Sequence, residues 1–167
     1  MSKDEEILAA NAAHQMLLPE VLIVIVNWNA RKELLDCLTS IKKLDYPKEK
    51  YKVLVVDNAS SDQSQSAVYQ NFPEVSLLEN KSNVGYVRAV NQGIEHGLDL
   101  GVNYVWVLNN DVVVDPDSLK NLVEIGQGDE NIGVVAPVVY SYNEPHRIKN
   151  IGYKINLWTG RLKKLKY

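Results

Sequence analysis

The stretch Val21-Leu22-Ile23-Val24-Ile25-Val26-Asn27-Trp28-Asn29 sets the architecture. Its apolar run, Val21 to Val26, is too short for a membrane span and too continuous for a strand with one wet face. β-Branched residues dominate it, and polar residues end it abruptly. The run predicts a strand buried on both faces of a parallel sheet, which requires crossover connections. The next residues agree. Arg31–Leu44 places Leu34, Leu35, Leu38 and Ile41 at helical spacing, and Asp45-Tyr46-Pro47 breaks the pattern.

The alternation then repeats. Val53–Val56 predicts a second buried strand ending at Asp57, Ser60–Asn71 a weaker helix, and Val75–Leu78 a third strand. Gly85–Leu100 predicts a helix despite Gly93 and Gly97, each costing about 1 kcal/mol against alanine. Gly101 suits its C-terminal cap. Tyr104–Leu108 predicts a fourth strand. Asp115-Pro116 reads as a helix start, a capping carboxylate before a proline, and Ile132–Val139 as a fifth strand. Beyond Tyr140 the pattern weakens. Ile148–Leu157 reads as one strand or hairpin arm, and Arg161–Tyr167 as a short basic tail with a solvated face. Residues 1–19 read as an appendage in which Met16, Leu17 and Leu18 dock as a short helix ended by Pro19. The expected class is α/β, a mostly parallel sheet with helices on both faces. The expected division is 1–19, a main domain over 20–140, and a further segment over 141–167.

Composition bounds the function. The 167 residues, 46% hydrophobic, suffice for one domain with a sizeable core. The formal charge of −3 argues against nucleic acid as a partner. The single cysteine, Cys37, excludes an intramolecular disulfide and a multi-cysteine metal site. His14, His96 and His146 lie in unrelated segments without zinc-ligand spacing, and no GxSxG elbow occurs. Cys37 falls within an amphipathic helix, so nucleophilic catalysis has no candidate. No apolar run approaches the ~20 residues of a membrane span. Asp4, Glu5 and Glu6 stand where a signal peptide carries positive charge. A cytoplasmic protein is expected, with peripheral attachment at the inner face of a membrane left open.

Ligands of parallel sheets gather at the carboxyl ends of the strands, near a topological switch point. The polar residues of this chain cluster there: Asn27 and Asn29 after the first strand, Asp57, Asn58, Ser60 and Asp62 after the second, Asn109, Asn110 and Asp111 after the fourth. Each has two readings. Asp57 either points outward to accept donors from a base or ribose, or serves turn chemistry while Ser60 and Asp62 cap the next helix. Asp111 either anchors a hard divalent cation with phosphate and water, or belongs to a polar turn. Asn83, Gly85 and Asn91 surround a helix start suited to an anion, or to a simple turn. Trp28 either offers its face to a nucleobase or packs in the core.

Four of these features stand in one order. Val26-Asn27-Trp28-Asn29 resembles the first-strand signature of family 2 glycosyltransferases with the GT-A fold. Val56-Asp57-Asn58-Ala59-Ser60-Ser61-Asp62 is similar to their nucleotide-binding second-strand motif. Asn83-Val84-Gly85-Tyr86 through Asn91-Gln92-Gly93 is similar to their third motif. Leu108-Asn109-Asn110-Asp111 resembles their Asp-x-Asp metal motif, with asparagine for the first acid. The combination is most similar to the rhamnosyltransferase-like branch.

The resemblance implies a GT-A α/β/α sandwich that binds a UDP- or dTDP-linked sugar with Mn2+ or Mg2+. Asn27, Trp28, Asn29, Asp57, Asn58, Asn83, Gly85, Asn91 and Asn110 would shape the nucleotide site. Trp28 would lie against the base, and Asp57 would bind the base imide or ribose. Asp111, with Asn109, would hold the metal against the diphosphate. The implied activity is inverting transfer of the sugar to a glycan, lipid-linked or protein acceptor. The chain resembles the N-terminal half of such enzymes, and the catalytic base is expected beyond Tyr167. Val90 stands where many members carry arginine. Exposed apolar surface around Ile148–Leu157, covered by a homodimer, is expected. The rival readings are a non-catalytic nucleotide-binding module and a sugar nucleotidyltransferase. The latter wants a glycine- and arginine-rich loop where Asn-Trp-Asn-Ala-Arg stands.

Overall fold

A computed structural model describes residues 17–155 and 158–165. Residues 1–16, 156, 157, 166 and 167 lie outside them, with parts of the expected appendage, hairpin arm and basic tail. Contacts divide the chain into two compact units, Met1–Asp117 and Ser118–Tyr167.

The first unit holds four parallel strands, β1 (Val21–Asn27), β2 (Tyr51–Asp57), β3 (Ser76–Glu79) and β4 (Tyr104–Asn109), in the order β3-β2-β1-β4. Three helices connect them: α1 (Arg31–Ile41), α2 (Ser64–Asn71) and α3 (Tyr86–Leu100). All seven residues of β1 are buried, as the unbroken apolar run requires of a central strand. The first two crossovers move one way across the sheet and the third moves back past β1. Right-handed crossovers therefore set α3 on the face opposite α1 and α2. On the α3 face, Leu22, Val24, Val26, Leu54 and Val56 pack with Ala89. Alternation sends Ile23, Ile25, Val53 and Val55 to the other face, where all are buried. α1 and α2 contribute the buried Leu34, Leu38 and Val68.

The glycines of α3 have a packing cause. A Cβ on Gly93 would stand 2.2 Å from Val24 Cγ1, and one on Gly97 would stand 2.7 Å from Val105 Cγ2. Their helix-propensity cost is offset by close approach of α3 to the sheet. Gly101 closes α3 in the left-handed conformation, at φ +69°.

Several expectations change. α2 begins at Ser64, not Ser60, because residues 57–63 form a turn with Ala59 and Gln63 at φ 61° and 66°. Asp115 Oδ1 accepts the Asp117 N–H at 3.0 Å, and the regular turns of α4 run Ser118–Gly128, three residues beyond the expected start. Leu17 is 80% exposed and does not dock.

The second unit contains α4 and two antiparallel pairs, β5 (Val139–Tyr140) with β6 (Ile148–Asn150) and β7 (Tyr153–Ile155) with β8 (Leu162–Lys164). Residues 132–138 form no strand. Pro137 lacks a donor there, and Val134 is 89% exposed, so the apolar run there signals neither burial nor pairing. Ile148–Leu157 is not one arm; within its described part, β6 and β7 are separate strands with different partners. Part of the basic tail is strand β8.

Candidate functional site

Register brings the polar strand ends to one level. Asn27 pairs opposite Asp57 across β1 and β2, and Val26 opposite Asn109 across β1 and β4. The direction of travel reverses between β1 and β4, which makes their carboxyl ends the switch point. A cleft of about 330 Å³ opens there, lined by Val26, Trp28, Asn58, Asn83, Tyr86 and residues 109–111.

Beneath it lies a saturated polar network. Asp57 is fully buried. Its Oδ1 accepts from Asn27 Nδ2 at 2.9 Å and Ser60 Oγ at 2.6 Å. Its Oδ2 accepts from the Ser60 N–H at 2.9 Å and Gln65 Nε2 at 2.6 Å. Four donors match what a carboxylate accepts. Asp57 thus points inward and does not line the cleft, contrary to the outward reading. The buried Asn27 also donates Nδ2 to Ser60 Oγ at 3.1 Å, while its Oδ1 accepts from Asn110 Nδ2 at 2.9 Å. No buried side-chain nitrogen or oxygen among the described residues lacks a partner.

Two loops are tied together beside this network. Asn29, at φ 50°, accepts the Ser61 N–H through Oδ1 at 2.7 Å, and its own N–H donates to Ser60 Oγ at 2.9 Å. Asp62 Oδ2 accepts the Arg31 N–H at 2.8 Å and so caps α1 from the neighbouring loop. Burial raises the Asp62 pKa, but bonds from Ser64 and Arg31 outweigh it and hold the carboxyl below its usual range.

On the other side, Asn58 Oδ1 accepts from Asn80 Nδ2 at 2.9 Å, and Asn80 exchanges two further bonds with Gln92. Asn58 faces the cleft with its amide nitrogen as the remaining donor. Asn83 Oδ1 accepts the Gly85 N–H at 2.9 Å. Gly85 sits at φ +85°, and the space a Cβ would occupy is open, so conformation rather than crowding demands glycine there. Asn91 is exposed on α3 and does not line the cleft; its neighbour Gln92 makes the inward bonds.

Trp28 is 56% exposed and lines the cleft, which removes the core reading. Tyr86 donates its hydroxyl to Asn109 Oδ1 at 2.9 Å, bridging the start of α3 to the end of β4. Asp111 is exposed in the cleft and makes no hydrogen bond or ion pair with a described residue. Cys37 is buried against the Asn109 carbonyl, and burial, with the charge of Asp111 second, pushes its thiol up to about 12. It is no nucleophile. Tyr86, Asn80, Gln65 and Gln92 had no site role in the sequence reading. Tyr86 and Gln92 stand within the third motif, while Asn80 and Gln65 carried no positional signal.

No group of three His, Cys, Asp or Glu occurs among the described residues. One carboxylate beside amide oxygens fits a hard cation that arrives with phosphates, which takes one or two protein carboxylates.

The parallel sheet, with an open cleft at its switch point, is an α/β fold of the GT-A glycosyltransferase type. The family model described as glycosyl transferase family 2 matches residues 22–166, and the chain belongs to that family. It is 28% identical over 120 residues to the poly-beta-1,6-N-acetyl-D-glucosamine synthase of Staphylococcus aureus (strain COL), covering 69% of this chain and 27% of that protein. Over 81 residues it is 35% identical to glycosyltransferase AglE of Haloferax volcanii, covering 47% of this chain and 27% of that one. The chain thus spans about a quarter of these relatives.

Among solved structures, the mannosyltransferase PcManGT from Pyrobaculum calidifontis, in complex with GDP-Man and Mn2+, superposes with a TM-score of 0.66 at 24% identity, covering 81% of this chain and 43% of that one. TarS of S. aureus in complex with UDP-GlcNAc gives 0.56 at 20%, covering 75% and 41%. These likenesses bear on the fold. No helix among the described residues is long and apolar enough to cross a membrane.

Proposed function

We propose that this chain is the donor-binding part of an inverting glycosyltransferase, and that the cleft at the ends of β1 and β4 takes the diphosphate of a nucleotide sugar. The observation that carries the reading is one cleft holding both the exposed Trp28 and the unbonded Asp111. Trp28 lies against the base, Asn58 offers it an amide donor, and Asn83 and Gly85 shape the wall at the start of α3. Asp57 and Asn27 support the site from beneath. Asp111 anchors a divalent cation, Mn2+ or Mg2+, which when bound neutralises charge on the departing diphosphate.

An acceptor hydroxyl on a glycan, lipid-linked or protein acceptor bonds to the anomeric carbon as that carbon's bond to the diphosphate breaks, with inversion, and its proton passes to a general base. Trp28-Asn29 and Asn109 support the rhamnosyltransferase-like branch, with dTDP or UDP as the nucleotide. The domain division at 20–140, a cytoplasmic site of action at the inner membrane face, and a homodimer that covers apolar surface around Ile148–Leu157, where Tyr153 is exposed, belong to the same proposal.

Thermal unfolding with UDP, dTDP and GDP, each with and without Mn2+, tests it on this chain and on Asp111→Ala. Nucleotide at 100 times its Kd adds about 2.7 kcal/mol, a midpoint rise of about 5–10 °C for this size. The rise should need Mn2+ and vanish in Asp111→Ala. No shift with any of the three overturns the reading.

A further inference from the structure

We propose that Asn110, rather than Asn109, supplies the second oxygen beside Asp111 for the phosphate-bound cation, and that the buried Asp57 dictates this through a relay across the sheet. The proposal rests on the donor-cleft reading above.

A carboxylate offers only acceptors, so every partner of Asp57 must donate. Asn27 therefore turns its Nδ2 to Asp57, at 2.9 Å. That leaves Oδ1 as the one polar atom its side chain can turn toward β4, and Oδ1 needs a donor. Asn110 provides it through Nδ2 at 2.9 Å. Asn110 is thereby held with its own Oδ1 as the polar atom left for the cleft it lines, adjacent in sequence to Asp111. A carboxylate and an amide oxygen side by side are the donors that hard cations take. Asn109 is less free. Its Oδ1 already accepts the Tyr86 hydroxyl at 2.9 Å, which leaves that oxygen one lone pair, and its other group is an NH2, which a cation repels. Asp57 thus acts as a positioning residue whose charge sets the polarity of two amides. Its burial with four donors makes that polarity hard to reverse.

Calorimetric titration of Mn2+ tests this, in the presence of whichever of UDP, dTDP or GDP binds the unmutated chain best. Asn110→Leu should weaken Mn2+ binding by about tenfold or more, the scale of losing a metal-site partner, and by clearly more than Asn109→Leu does. Asp57→Asn should weaken Mn2+ binding as well. The Asp57→Asn, Asn110→Asp double variant moves the carboxylate to the other end of the relay. Asn27 can then turn over, and an oxygen again faces the cleft, so Mn2+ affinity should recover above that of Asp57→Asn. Melting curves establish which variants fold. If the Asp57 variants do not, the comparison of Asn109→Leu with Asn110→Leu decides. Loss of Mn2+ binding in Asn109→Leu with none in Asn110→Leu overturns the assignment and leaves the donor reading intact. Absence of Mn2+-dependent nucleotide binding in the unmutated chain removes both.

Discussion

Trp28 and Asp57 exchange the roles that residue type suggests. Tryptophan is usually buried and aspartate usually exposed, yet here Trp28 is 56% exposed and Asp57 not at all. Register decides it. Asn27 and Asp57 end neighbouring strands as a facing pair, and Trp28 begins the turn beyond them. Because the Trp28 ring borders a cleft rather than filling a core, its removal should touch binding and spare folding. Stacking of a base on an aromatic ring is worth about 1–3 kcal/mol by alanine substitution. Trp28→Ala should therefore raise the Kd for the bound nucleotide about tenfold or more. The midpoint of the ligand-free protein should stay within about 2 °C, as for ordinary surface changes. Calorimetry and melting curves on the same samples check both. A midpoint that falls along with the affinity would mark Trp28 as a packing residue.

Among the elements, α3 shows where sequence rules bend to packing. Glycine to alanine at a helix interior ordinarily gains about 1 kcal/mol. At Gly93 the new methyl would meet Val24 Cγ1 at 2.2 Å, in the middle of the central strand. Overpacking of this kind costs about 1–3 kcal/mol, so Gly93→Ala should lower stability on balance. Urea unfolding should show a lower midpoint at unchanged slope; a higher midpoint would mean that α3 does not press on β1 as described. The same elements show what was legible. Strands β1, β2 and β4 and helices α1 and α3 followed from apolar runs and helical spacing, since burial on two faces or one leaves those signatures directly. The ends of elements were less legible. α2 starts late because the Asp57 carboxylate holds the Ser60 backbone in a turn, a bond between side chain and main chain that no periodicity records. Residues 132–138 misled because an apolar run reports affinity for burial, while a strand also needs a neighbour with free backbone groups. Within the site, the three converging strand ends were legible from the polar residues that stop each run. The direction of each side chain was not, because it follows from register.

For the molecule as a whole, folding is linked to pH through two buried groups that resist losing their protons. Burial pushes the Cys37 thiol from 9.0 to about 12, with the charge of Asp111 adding to it. Burial likewise pushes the Tyr46 hydroxyl from 10.0 to about 12, with Tyr104 second, while that hydroxyl donates to the Pro19 carbonyl at 2.8 Å. Between pH 9 and 12 the unfolded chain therefore releases protons that the folded chain keeps. Where the folded state holds more protons, stability falls as pH rises, by up to about 1.4 kcal/mol per pH unit for each such group. The acid side has the opposite sign. The lowered Asp62 pKa contributes stability that is present above 3.8 and is lost as pH falls through its folded value. Together these place a plateau between the two limbs. The urea midpoint should be nearly flat from about pH 6 to 8.5 and decline steadily above about pH 9. Cys37→Ala removes one of the two alkaline groups, so its decline should be shallower, whatever its stability at neutral pH. Parallel declines for the two proteins would show that the thiol titrates alike folded and unfolded, and that Cys37, on α1, is not sealed against the end of β4.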